Sequence, residues 1–140
     1  MSDTAPTFAP LITDAPLDAA ALEAAAFTDH DGALVTFRGI VRDHDGGRAV
    51  TSLEYQAHPD AARFLAEAVA RHETDGIRIA AAHRTGHLVI GDVALVAAVA
   101  SAHRAEAFAA CAALVDDIKQ TVPIWKRQHF ADGVSEWVGL

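Results

Sequence analysis

Between Asp92 and His103 the chain reads Val93-Ala-Leu-Val-Ala-Ala-Val-Ala-Ser-Ala102, ten residues without a charge. A strand with one face in water alternates apolar and polar side chains. One that is apolar at nearly every position is covered on both faces. Val93 to Ala100 is therefore expected as a central strand, and other layers have to pack against it. The run is also the longest apolar stretch of the chain, far short of the roughly 20 residues that cross a membrane as a helix.

The remaining elements are read around that strand. Residues 1–16 are an extended N-terminal arm or an edge strand centred on Phe8 to Ile12, and Leu17 to Phe27 is a small Ala-rich helix. Ala33 to Arg42 is β-branched and aromatic and reads as a strand, with Gly39 marking a bulge or a close backbone approach. Asp43 to Arg48 is a loop with two glycines, and Thr51 to Ala57 a further strand. Pro59 fits the first turn of a helix that continues to about Thr74. Ile77 to His83 and Leu88 to Ile90 are short strands around a turn at Gly86. Ser101 is placed to cap a helix from about Ala102 to Thr121, with a stripe of Phe108, Cys111, Ala112, Val115, Ile118 and Val122. Pro123 ends it, Ile124 to Phe130 is a strand, and Val134 to Val138 a last short one. Strands and helices mix without strict alternation, so residues 1–140 are expected to form a single α+β domain with helices packed on a mostly antiparallel sheet.

Charge excludes some functions. A formal net charge of −8 lacks the basic face of a nucleic-acid binder, and an anionic ligand would need a local cluster of cations. The N-terminus has neither the basic nor the apolar part of a signal peptide, and Cys111 is the single cysteine, so a reduced, cytoplasmic protein without disulfide or thiolate metal site is expected. None of the eight histidines has the helical spacing and helper carboxylate of a zinc enzyme, so they are read as surface or hydrogen-bonded side chains and no metal is expected.

The two lysines of the chain, Lys119 and Lys126, lie seven positions apart; every other basic side chain except histidine is arginine. An amine, unlike a guanidinium, loses its proton near neutral pH when it is desolvated or crowded by another cation. Alternation puts Lys126 on one strand face with Ile124, Gln128 and Phe130, and Arg127 on the other. Two readings stand: a proton-transferring pair, or a helix-end lysine beside a solubilising one. His103 and Arg104 sit at the start of the preceding helix, where unpaired amide groups and the macrodipole favour an anion. Either they hold a phosphate or carboxylate, or they point into solvent. Arg42, just before the glycine loop, is a further candidate for an anion contact.

The same residues carry a family resemblance. The chain resembles the large, catalytic subunit of molybdopterin synthase over about residues 30–138. The likeness rests on Gly32-Ala-Leu-Val-Thr-Phe-Arg-Gly-Ile-Val-Arg42, Leu53-Glu-Tyr55, His83-Arg-Thr-Gly86 with Ile90-Gly91, Ser101-Ala-His-Arg104, and above all Lys119 through Val122-Pro-Ile-Trp-Lys126, followed by Asp132-Gly133 and Trp137. It implies a hammerhead-like α+β fold and a homodimer in which each subunit binds a small ubiquitin-like sulfur carrier with a C-terminal Gly-Gly, giving a heterotetramer. It further implies that the carrier's thiocarboxylate supplies two sulfurs to cyclic pyranopterin monophosphate to form molybdopterin, with no resident cofactor. By resemblance Lys119 and Lys126 are the catalytic amines, Lys119 at the thiocarboxylate end and Lys126 at the cyclic phosphate, or with these roles exchanged. His103 and Arg104, donated across the dimer, together with Ile40, Val41, Arg42, Arg127 and Gln128, are implied substrate contacts. The chain departs from the family pattern at Asp45, Gln56 and His58, and it stops at Leu140, short of members with a C-terminal tail. The contrasting expectations are a non-catalytic module that binds a ubiquitin-like tail or a phosphate, and a Schiff-base lyase using Lys126.

Overall fold

The structure, a computed structural model, describes residues 10–139. Strand β7 (Val93–Ser101) lies between β5 (Arg78–Arg84) and β2 (Ala33–Ile40), antiparallel to both, and β1 (Leu11–Thr13) adds to the far side of β5 in parallel. The apolar run of β7 is explained by what covers it. Leu95, Ala97 and Val99 face α2 (Ala61–His72) and α3 (Arg104–Thr121), while Val96, Ala98 and Ala100 face Leu22 and Ala26 of α1 (Ala19–Ala26). Alternate residues thus enter two cores, and the abundance of alanine lets the helices sit close to the sheet.

A second sheet holds the remaining strands. β4 (Arg48–Ala57) pairs with β8 (Ile124–Phe130) on one side and with β3 (His44–Asp45) and β6 (Gly86–Val89) on the other, and β9 (Ser135–Gly139) extends it beyond β8. Val41, Leu53, Leu88 and Ala94 form a small core where the sheets meet. The architecture is α+β, with three helices and mostly antiparallel sheets, as the mixed element order implied.

Gly39 does sit at an irregularity: the register of β2 on β7 shifts between Gly39 and Ile40. Several local expectations are corrected. The loop after Arg42 contains β3, because Gly46 and Gly47, both at positive φ, form the two-residue turn that a tight hairpin requires. Pro59 precedes the first helical turn, since Asp60 is the N-cap of α2. β5 and β6 flank Gly86 but do not pair with each other; they belong to different sheets. Ser101 ends β7 and donates its hydroxyl to the carbonyl of His103 at 2.6 Å, and His103 itself is the N-cap of α3. The buried stripe of α3 is Ala107, Cys111, Leu114, Val115 and Ile118, whereas Phe108 is 62% exposed. Of the expected N-terminal edge strand, Leu11 and Ile12 are in β1, and residues 1–9 lie outside the described residues.

Candidate functional site

Three elements deliver the basic residues to one place. α3 ends at Thr121, Val122 caps it in an extended conformation, and the chain passes through Pro123 directly into β8. This short reversal brings Lys119, in the last turn of α3, to the same cavity as Lys126, the third residue of β8. The bulged end of β2 supplies Arg38 and Ile40, the segment just after it supplies Arg42, and Phe37, Tyr55, His83, Leu95 and Ile118 complete the lining. The cavity encloses about 370 Å³, enough for a small ligand or the end of a peptide. A wider, more open groove of about 870 Å³ lies beyond Tyr55, which lines both.

The cavity is electrostatically one-sided. Among the described residues no carboxylate lines it; its titratable groups are Arg38, Arg42, Tyr55, His83, Lys119 and Lys126. Arg42 meets Asp45 at 3.6 Å on the exposed rim. Neither lysine is in an ion pair among the described residues, although arginines elsewhere are. Burial holds the Lys126 amine below its ordinary value, with the charges of Arg42 and Lys119 acting in the same direction and Asp45 opposing them. Desolvation plus neighbouring cations is the combination that makes an amine a proton donor and acceptor near neutrality.

Tyr55 and His83 close the inner wall, their rings edge to face at 4.9 Å between centroids. His83 is 2% exposed, and burial, reinforced by the charge of Lys119, lowers its pKa to about 4. It is thus a neutral imidazole in a cavity of cations. The expectation that the histidines are surface or hydrogen-bonded groups missed this placement. A signal was available: His83 lies six residues after Ile77, in a strand whose interior is otherwise Ile-Ala-Ala-Ala.

The other expected contacts distribute as follows. Ile40 and Arg42 line the cavity. Val41 does not; its side chain is buried, its N–H donates to Asp92 at 2.9 Å, and its carbonyl accepts from Gly91 at 3.0 Å. Arg127 points to the outer face of the sheet, with its guanidinium 5.9 Å from the Trp137 ring. Gln128 is buried next to Lys126 in β8, and its Oε1 has no hydrogen-bond partner among the described residues. His103 and Arg104 are exposed at the opposite end of α3 from Lys119. Fifteen residues at about 1.5 Å each put Arg104 roughly 22 Å from Lys119 along the helix axis. Within one chain these residues and the lysines are separate features.

Cys111 is buried and its thiol, pushed up by desolvation, points at the carbonyl of Ala97 at 3.9 Å. Among the described residues no group of three or more His, Cys, Asp and Glu is arranged to hold a metal ion, and no helix is long and apolar enough to cross a membrane.

Comparison with known proteins bears on this cavity. The family model described as MoaE protein matches residues 12–121. The chain is 44% identical over 131 residues to molybdopterin synthase catalytic subunit 1 of Mycobacterium tuberculosis, covering 91% of this chain and 88% of that one. It is 40% identical to the molybdopterin synthase catalytic subunit of a Nostoc species, covering 92% of this chain and 81% of that one. Among solved structures, molybdopterin synthase from Staphylococcus aureus superimposes with a TM-score of 0.86 at 34% identity, over 92% of this chain and 96% of that one. The fold also matches, at 21% identity and a TM-score of 0.63, a chain from a complex of subunits 1 and 2 of molybdopterin-converting factor from Helicobacter pylori, over 79% of this chain and 72% of that one.

Proposed function

The chain belongs to the MoaE protein family, and we propose that its lysine cavity is where sulfur is passed from a carrier protein to a pterin substrate. The chain is a catalytic subunit of molybdopterin synthase, an enzyme of molybdenum cofactor biosynthesis. One observation supports the assignment of the site above the others: the two lysines of the chain share one cavity whose lining, among the described residues, holds no carboxylate.

The chemistry follows from what the cavity offers and lacks. The single cysteine is buried and is not among the residues that line the cavity, so sulfur has to arrive on a partner. That partner is a small ubiquitin-like subunit whose C-terminal Gly-Gly ends in a thiocarboxylate. The thiocarboxylate sulfur bonds to a carbon of cyclic pyranopterin monophosphate as a C–O bond of that carbon breaks, the oxygen leaving as water in one transfer and as the phosphate oxygen of the opened ring in the other, and this gives a thioester between carrier and substrate. Water then adds to the acyl carbon; the carrier leaves as a carboxylate and the sulfur stays on the substrate as a thiolate. A second loaded carrier repeats the sequence. Lys119 stabilises the oxyanion that forms at the acyl carbon. Lys126, with its depressed proton affinity, moves protons during opening of the cyclic phosphate. Sulfur enters already reduced, so the transfer needs no resident metal or redox cofactor.

The phosphate needs cations beyond the lysines, and His103 with Arg104 supplies them from a second copy of the chain. A separation of roughly 22 Å along α3 within one chain supports donation from a second copy, and on this reading the working unit is a homodimer with one carrier per subunit, acting in the cytoplasm. Incubating the chain with thiocarboxylated carrier and cyclic pyranopterin monophosphate, then oxidising the dithiolene to its fluorescent derivative, tests the proposal. Product that depends on all three components is expected. A folded chain that binds the carrier but forms no product would make it a non-catalytic binding module.

A further inference from the structure

We propose that His83 is a positioning residue for Lys119, its Nε2 accepting a hydrogen bond from the lysine ammonium group. The His83 ring is fixed before any ligand arrives. Its Nδ1 lies 2.8 Å from the carbonyl oxygen of Arg84, and a carbonyl only accepts, so Nδ1 carries the hydrogen. In a neutral ring the lone pair is then on Nε2. The edge contact with Tyr55 and the pairing of β5 with both β1 and β7 hold the imidazole plane in place.

Nε2 makes no hydrogen bond with a described residue, and it is not sealed off as the Gln128 Oε1 is; the cavity that His83 lines is where it opens. The charged groups facing that cavity are Lys119 from α3, Lys126 from β8, Arg38 from β2, and Arg42 from the segment just after β2. All are donors. Burial and the nearby Lys119 charge keep the imidazole neutral, with a pKa of about 4, so it remains an acceptor throughout the neutral range. Lys119 itself has no ion-pair partner among the described residues, and as a whole residue it is exposed, in the last turn of α3. A lysine head on four rotatable carbons loses rotamer entropy when it is held, and without an acceptor inside the cavity it stays in water. A carboxylate would hold it more tightly but would also neutralise it and repel an anionic ligand. A neutral nitrogen acceptor orients the amine and leaves its charge free to act.

The inference deepens the proposed function, and its kinetic test rests on it. Two substitutions separate the two ring nitrogens. His83→Asn keeps a donor where Nδ1 stands and removes the acceptor; His83→Gln reaches the Nε2 position with an amide oxygen and gives up the short donor. His83→Asn is expected to lower kcat for sulfur transfer by about 10–100-fold with KM for carrier and pterin unchanged, and His83→Gln to recover part of the loss. The reverse order, an active His83→Asn and an impaired His83→Gln, would make His83 a mere anchor of β5 and overturn the proposal. A second measurement leaves His83 intact. In protein labelled with 15N-histidine, long-range proton–nitrogen correlation is expected to show the Nδ1–H form of His83, with an Nε2 signal that moves in Lys119→Met. An Nε2 signal that stays put refutes the contact. If the unsubstituted enzyme makes no dithiolene, the sulfur-transfer proposal fails, and the 15N comparison still decides the role of His83.

Discussion

Helix α3 serves two regions with opposite treatment of charge. At the seam with α2, Asp117 accepts from Arg71 at 2.9 and 3.0 Å, and lies 2.8 Å from His72 Nε2. The Arg71 hydrogen bonds, then His72 and Thr121, hold its carboxyl down at about 2. Two residues later Lys119 has no counter-ion among the described residues and shares a cavity with a second amine. Two residues are about 200° of helical rotation, so these side chains leave opposite sides of one rigid rod. Matched charge at the seam serves stability, while unmatched charge in the cavity works against stability and is kept for a ligand.

The contrast is open to direct attack, first at its strongest point. Lys119→Ala should reduce sulfur transfer by about 10²–10⁴-fold while the urea midpoint and carrier affinity remain those of the parent. Turnover at the parental rate would remove Lys119 from the mechanism and with it the distinction between the two ends of α3. Arg104→Ala should raise the apparent KM for the pterin substrate by about 10–100-fold, the loss of one charged hydrogen bond, with carrier affinity unaffected. An unchanged KM would show that the start of α3 takes no part.

On the seam the expected loss is of stability. Asp117→Asn should cost about 1–2 kcal/mol at neutral pH and leave sulfur transfer intact. Because the folded-state pKa is depressed, that contribution is complete above the unfolded value near 3.8 and is lost as pH falls toward 2. Urea melts at pH 7 and pH 3 should therefore show the gap between parent and variant closing in acid. The smallest effect is expected for the stability of Lys126→Met. The folded state lowers the proton affinity of this amine, so its charge opposes folding at neutral pH; that cost shrinks once pH passes the folded-state pKa and is gone above the unfolded value of 10.5. Melts at pH 7 should show the variant ahead by about 0.5 kcal/mol, with the advantage gone in strong base.

The sequence was most legible where one physical demand fixed the residue type. Double coverage forced β7 to be apolar throughout, the bulge fell at Gly39, and the lysine pair, set apart by chemistry, proved to share a cavity. It was least legible where alanine leaves periodicity silent. α3 carries alanines on every side, so Ala107 and Leu114 could turn inward and Phe108 outward without a visible change of pattern. His83 was legible as part of the His83-Arg-Thr-Gly86 likeness but not as a cavity residue, because its place depends on burial against Tyr55, a residue 28 positions earlier in the chain and in the other sheet. Pairing partners of β5 and β6 were equally silent, since a turn at Gly86 suits a hairpin and a change of sheet alike.

That change of sheet limits how relatives of this chain can vary in length. Only Thr85 separates Arg84, the last residue of β5, from Gly86, the first of β6, and its N–H donates to Thr13 at 2.7 Å. One inserted residue there would reverse the facing of every side chain in β6, turning fully buried Leu88 out to water and Val89 into the core. Deletion would pull His83 away from the wall it shares with Tyr55. The turn between α2 and β5 has no such constraint, with Gly76 meeting nothing nearby. Natural insertions and engineered tags therefore belong between residues 74 and 77, and the junction at 85 is a fixed length that descent is not free to edit.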